Sequence, residues 1–417
     1  MVATATPWAV LLCKFNDNDS EPLPRSFYER LFTAAGAGTH NMTEYFSDAS
    51  HGALDLSGNR VFGWFTLPKA HSEYTGSGAN PAGRQELVDW ARQAAARDNE
   101  DLSPFFGVVV VTNVDTDLWG GGGEAVCGPS SLQPSVLGQE MGHGYGLDHS
   151  RVDGSLDDYT DPWDTMSTWN SCYMASHPEY TLIGPGLNAA NMRGRGWLDE
   201  SRVFRRDASE FETSVVLRPL HRRDLAGWLA AELPGPFLAE FRMNEGWDAA
   251  IPRPAVLVHR FEANHSYLMR GEAGQLDLGP GEGFSKELIG AVGGVSVGAA
   301  VEAIDPGART ATIRIFSRVT WHVPRLVATI LRGVAVDAGG WMILNGKIHK
   351  IPPRGPVTRI LEQAMLYQSS QLELAAQSTR DQVRRGALDA IASELESLRE
   401  EVAPFRSPPP IQERGQA

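Results

Sequence analysis

Gln139-Glu140-Met141-Gly142-His143-Gly144-Tyr145-Gly146-Leu147-Asp148-His149 is the stretch from which the rest of the 417-residue chain is best read. On an α-helix, residues four apart project from one face, so positions 139 and 143 can reach a single ion. Glu140 lies about 100° round the helix, which suits a base beside the ion rather than a ligand. Gly146 accepts positive φ and can end the helix. The chain then turns back, and His149 completes the set. Gln139, His143 and His149 are therefore the candidate metal ligands, and Glu140 is the candidate catalytic residue. Three protein donors leave one position of a tetrahedral ion open, as in a reactive site rather than a closed structural one.

A second element follows at Asp161-Pro162-Trp163-Asp164-Thr165-Met166-Ser167. With one letter changed, residues 139–149 resemble the long zinc motif H-E-x-x-H-x-x-G-x-x-H of the metzincin metallopeptidases. Tyr159 to Ser167 resembles the Y-x-D-x-W-D-x-M-S stretch of gametolysin-like and immune-inhibitor-A-like peptidases. Further stretches carry the same resemblance: Tyr45 to Gly52, Gly63 to Pro68, Pro185 to Ala190 with Gly196-Trp197-Leu198, and Glu240-Phe241-Arg242 through His259. It covers about residues 8–316. It implies zinc as the cofactor, Met166 as the methionine of the turn beneath the metal, and a protein or peptide substrate. The implied reaction is peptide-bond hydrolysis by a metal-bound water that Glu140 activates. It also implies a secreted protein, whereas no basic segment followed by a long apolar core opens this chain.

Gln139 is the departure, because an amide oxygen is a poorer zinc ligand than imidazole. Three readings stay open: Gln139 binds zinc weakly or favours another divalent metal such as copper; the chain is a catalytically inactive peptidase-like protein that serves as a protein-binding module; or the substitution has silenced an otherwise active enzyme. His51, His71 and His177 are weak candidates for a replacement ligand.

A net charge of −14 argues against a nucleic-acid or anionic-membrane binder, which needs a basic surface. No apolar run reaches the length of a membrane-spanning helix. Three cysteines are too few for a disulfide framework. Cys13 sits in an apolar run, and Cys127 and Cys172 flank the site segment, leaving open whether they pair.

The pattern along the chain predicts an α+β protein. Residues 8–15 and 105–111 read as buried strands, and residues 84–97 as a helix with apolar positions at a 3.6 period. Strand, helix, strand and the helix of Gln139 give the order of a zincin catalytic half, a mixed sheet with an active-site helix. Gly120-Gly121-Gly122-Gly123 reads as a flexible loop without the ending of a phosphate loop. Residues 1–200 are thus expected to form a metzincin-like catalytic domain. Residues 201–319 carry short apolar runs between Gly, Pro and Asp, as in a β-rich, sandwich-like domain. Glu240, Asp248 and His259 lie in it, with domain packing as their expected role. Residues 320–406 combine a hairpin turning at Asn345-Gly346 with two helical stretches. A stripe from Val383 to Val402 suits self-association or partner docking. Residues 407–417 form a Pro-rich tail of disordered composition.

Overall fold

The computed structural model describes residues 3–168, 172–206, 210–290, 293–322, 341–344 and 347–350. It is mixed α+β, with several sheets and few helices. The expected helices at 357–376 and 382–402, and the tail, lie outside the described residues. None of the described helices is long and apolar enough to cross a membrane.

The frame for the candidate site is a five-stranded mixed sheet. Its order is Arg60–Thr66, Trp8–Lys14, Gly107–Thr112, Glu124–Cys127, Trp119–Gly121. The first four strands are parallel, and the edge strand Trp119–Gly121 runs antiparallel. Parallel neighbours need crossovers, and the helix Pro81–Arg97 is one of them. The run Val108 to Val111 is apolar throughout because both of its faces are covered. Strand alternation sorts the sheet's side chains into two cores. Ala9, Leu11 and Cys13 pack with Leu87, Trp90 and Ala94 of the crossover helix. Trp8, Val10 and Leu12 pack with Tyr45 and Phe46 of the helix Met42–Ala49, and with Leu137 and Met141 of the site helix.

The Gly120–Gly123 stretch is not a loose loop. Gly121 pairs with Glu124, so two residues make the turn, and Gly122 and Gly123 have φ of 58° and 80°. A two-residue hairpin needs positive φ at both central positions, which glycine supplies without strain.

The described residues fall into two compact units. The first comprises Met1–Arg205, Ser214–Phe284 and Ala299–Arg314. It contains a six-stranded sheet ordered Val203–Phe204, Ala230–Glu232, Phe237–Arg242, Ala255–Glu262, His265–Leu268, Arg151–Val152. Its last strand begins two residues after His149 and pairs parallel with His265–Leu268. The site segment is thereby joined to chain more than a hundred residues downstream. A four-stranded sheet has the order Phe211–Leu217, Thr310–His322, Gly293–Asp305, Gly283–Gly290. The second unit comprises the described residues of Arg206–Thr213, Ser285–Gly298 and Ile315–Ala417. Within it, Trp341–Leu344 and Lys347–Lys350 pair antiparallel in the register of a hairpin, with Leu344 opposite Lys347.

Candidate active site

The site helix, Pro134–Gly144, starts with a proline at its first turn and has no side-chain N-cap. Its glycines weaken it in isolation, so packing must hold it. That packing is close: a Cβ on Gly142 would meet Met166 Sδ at 2.7 Å. Every residue from Pro134 to Gly142 is buried. The helix ends where Gly146 takes a φ of +85° and Leu147 N–H donates to Gly142 O at 3.1 Å. The reversal brings His149 back beside His143, with ring centroids 4.7 Å apart and planes 83° to one another.

Each imidazole is oriented through its Nδ1. His143 Nδ1–H donates to Leu147 O at 2.7 Å. His149 Nδ1 lies 3.1 Å from Asp158 Oδ2, and Asp158 also pairs with Arg151 at 2.7 Å. In a neutral imidazole, an Nδ1 that donates leaves Nε2 as the lone-pair atom, and a carboxylate or carbonyl on Nδ1 is the usual support of a metal-binding histidine. Burial pulls His143 down to about 4, so it is neutral at physiological pH. Burial alone would raise Asp158, but its hydrogen bonds to His149 and Arg151 hold it below the usual carboxylate range. Tyr159, with φ of +60°, lays its ring 3.9 Å from that of His149.

Glu140 is 5% exposed. Burial raises it to about 7, against a smaller downward pull from Gln139 and Arg84. A cation bound close by would lower it again. The edge strand Trp119–Gly121 lies directly on this part of the helix, since a Cβ on Gly120 would meet Glu140 O at 2.0 Å.

Gln139 is equally buried. Its Oε1 accepts from Thr168 N–H at 2.8 Å, and its Nε2 faces Glu140 Oε1 at 3.4 Å. Its amide is therefore directed to the chain on both sides.

Met166 sits in a short 3-10 turn, Thr165–Ser167, under the helix. Asp164 organises that turn. Its Oδ1 accepts from Met166 N–H and Ser150 Oγ, each at 2.8 Å, and from Asn191 Nδ2 at 3.1 Å. Its Oδ2 accepts from Asn188 N–H at 2.6 Å. Burial, with Asp161 nearby, raises Asp164 to about 6. Behind it runs a chain of buried charges. Asp161 Oδ2 lies 3.0 Å from His259 Nε2, and His259 Nδ1 lies 3.6 Å from Glu240 Oε2. Glu240 pairs with Arg242 Nη1 at 3.1 Å, and Arg242 Nε donates to Asp248 Oδ2 at 2.6 Å. Glu240 and Asp248 in turn accept from Ala189 N–H and Gly186 N–H. Glu240, Asp248 and His259 thus hold chain segments together within the first unit.

The candidate replacement ligands have other partners. His51 is fully buried, donating from Nε2 to Leu220 O and accepting Asp199 N–H at Nδ1. His71 packs on Phe15, and His177 stacks on Tyr180 while Nδ1 accepts Tyr180 N–H. All three cysteines are free; Cys172 does not pair with Cys127 but donates Sγ–H to Asp164 O at 3.1 Å.

Sequence reasoning picked out Gln139, Glu140, His143, His149 and Met166, and the fold gathers them. It missed Asp158, Ser150, Asn188 and Asn191. Asp158 carried a usable signal, as a carboxylate nine residues beyond His149 on the same loop.

Against a bound ion, the two imidazoles fit: both have Nδ1 held and lie edge to face. Gln139 does not fit as it stands, since its oxygen is turned to Thr168. Among the described residues no group of three or more His, Cys, Asp or Glu side chains is arranged to hold a metal. Searches of family models, curated proteins and solved structures returned no match to the chain.

Proposed function

We propose that this chain is a metal-dependent endopeptidase with a metzincin-type catalytic half. The observation that carries this reading is the pair His143 and His149, both fixed through Nδ1, beside buried Glu140 and above Met166. The parallel strands with one antiparallel edge, backed by the site helix, support the zincin reading of the fold.

Nε2 of His143 and of His149 would hold the ion, zinc or the more tightly imidazole-bound copper, which supplies Lewis-acid polarisation and lowers the pKa of water. Glu140 does the proton work. Its carboxylate takes a proton from water as water attacks the peptide carbonyl, and returns it to the departing amine nitrogen. A carboxylate beside the ion can make both halves of that transfer. Asp158 holds the His149 tautomer, and Leu147 O holds that of His143. The edge strand Trp119–Gly121 offers backbone groups to an extended peptide.

Glu140→Gln tests the assignment. It is expected to keep metal content and fold while losing at least about a hundredfold in kcat. Undiminished hydrolysis in that variant rejects the role of Glu140. A second reading, a peptidase-like binding module without turnover, is favoured by the Gln139 amide facing Thr168. It predicts no cleavage of unfolded protein with zinc, copper or manganese supplied. Elemental analysis of the purified chain is the first discriminator: near-stoichiometric metal supports the enzyme, and none after incubation with zinc supports the module.

A further inference from the structure

We infer that Gln139 is a positioning residue rather than a metal ligand: it braces the Met166 turn and aims the Glu140 carboxylate, leaving an ion to two imidazoles. The inference rests on the metallopeptidase reading for its metal half only.

A carboxamide presents one acceptor and one donor group. Thr168 N–H is a donor, so the atom facing it at 2.8 Å must be Oε1. Nε2 then falls opposite Glu140 Oε1, an acceptor, at 3.4 Å. Reversing the amide would set donor against donor and acceptor against acceptor, so the orientation is determined by its partners. Thr168 is itself anchored. Its Oγ1 lies 2.6 Å from Thr165 O, in the Met166 turn, and 3.0 Å from Ser135 O, on the first turn of the site helix, and shares its one proton between them. Its N–H shares a longer 3.1 Å bond to Thr165 O.

The bond from Thr168 to Gln139 therefore ties the residue two past Met166 to the helix turn that carries Glu140. Swinging Oε1 out to an ion would leave Thr168 only the longer bond and would strip the donor from Glu140. Both groups are buried, where such losses are felt in full. Imidazole in this position could serve the ion, but an amide serves the turn and the base together.

The test uses the full-length protein, stripped of metal and titrated with zinc by calorimetry. The variants are Gln139→Met, which keeps length and removes both polar atoms, and His143→Ala and His149→Ala. The brace predicts that Gln139→Met binds zinc within about threefold of the unmodified protein, while each histidine variant loses about a hundredfold or more. It also predicts faster hydrogen exchange at the Thr168 amide in Gln139→Met, and a fall in kcat at unchanged KM. Loss of zinc from Gln139→Met as severe as from the histidine variants overturns it. Should Gln139→Met fail to fold, the unmodified protein decides: Thr168 amide protection that persists on zinc addition supports the brace, and protection lost on zinc addition overturns it. If zinc does not bind the unmodified protein at all, the metal reading fails. The brace then stands or falls on Thr168 exchange in Gln139→Met without metal.

Discussion

Two histidines with opposite roles show how partners decide what one side chain does. His149 has its Nδ1 on Asp158, which is partly exposed and shared with Arg151. On the proposed metallopeptidase reading, Asp158→Asn keeps a hydrogen-bond acceptor but removes the charge, so zinc affinity is expected to fall about ten- to hundredfold by calorimetry. His51 has both nitrogens engaged within the core, and burial pulls it down to about 3. The unfolded chain then binds a proton that the folded chain refuses between about pH 6.5 and 3. Stability from this residue is full above pH 6.5 and is lost as pH falls towards 3. His51 has φ of 48°, which asparagine tolerates, so His51→Asn removes the titration without strain. Urea midpoints measured from pH 7 to 5 are expected to fall less steeply in His51→Asn than in the unmodified protein.

At the scale of elements, the site depends on a strand and a helix in near contact. Only glycine fits at position 120, because a Cβ there would strike the backbone oxygen of Glu140. Gly120→Ala must push the hairpin Trp119–Cys127 off the helix. Overpacking of this kind costs about 1–3 kcal/mol or more, measurable by denaturant unfolding, and a neutral result would mean the two elements are not so closely seated. The same contact explains why the glycine run could be misread. Its composition resembles a flexible loop, but two of its glycines make a hairpin turn and a third admits the helix.

At the scale of the molecule, buried charge joins segments that are far apart in the chain. Arg242 is fully buried between Glu240 and Asp248. Arg242→Met leaves Asp248 buried without its cation and Glu240 with His259 alone, and a loss of about 3–5 kcal/mol is expected from urea unfolding. Adding Asp248→Asn to that variant should recover part of the loss, because a missing pair is far less damaging than half of one. His259 adds a pH limit of its own. Burial disfavours its charge, but Glu240 and Asp161 outweigh that and raise it to about 10. Its stabilisation is complete below about pH 6.5 and is lost as pH rises through 10. A stability profile flat across pH 8–11 would contradict a charged His259.

What the sequence determined by itself was whatever depends on spacing along one element. The four-residue step from 139 to 143, the glycine at 146, the unbroken apolar runs that make Trp8–Lys14 and Gly107–Thr112 core strands, and the pairing about residues 345–346 are set within a few residues. Helix and strand geometry alone turns such spacing into position. Only the tertiary structure decided the partners. Asp164 gathers bonds from Ser150, Asn188 and Asn191, and His259 meets Asp161 across 98 residues. Gln139 was legible as a ligand position from its place on the helix. That its oxygen faces Thr168 follows from the turn folding back beneath that helix, because a side chain's chemistry is settled by the nearest group in space, and spacing along the chain does not specify that group.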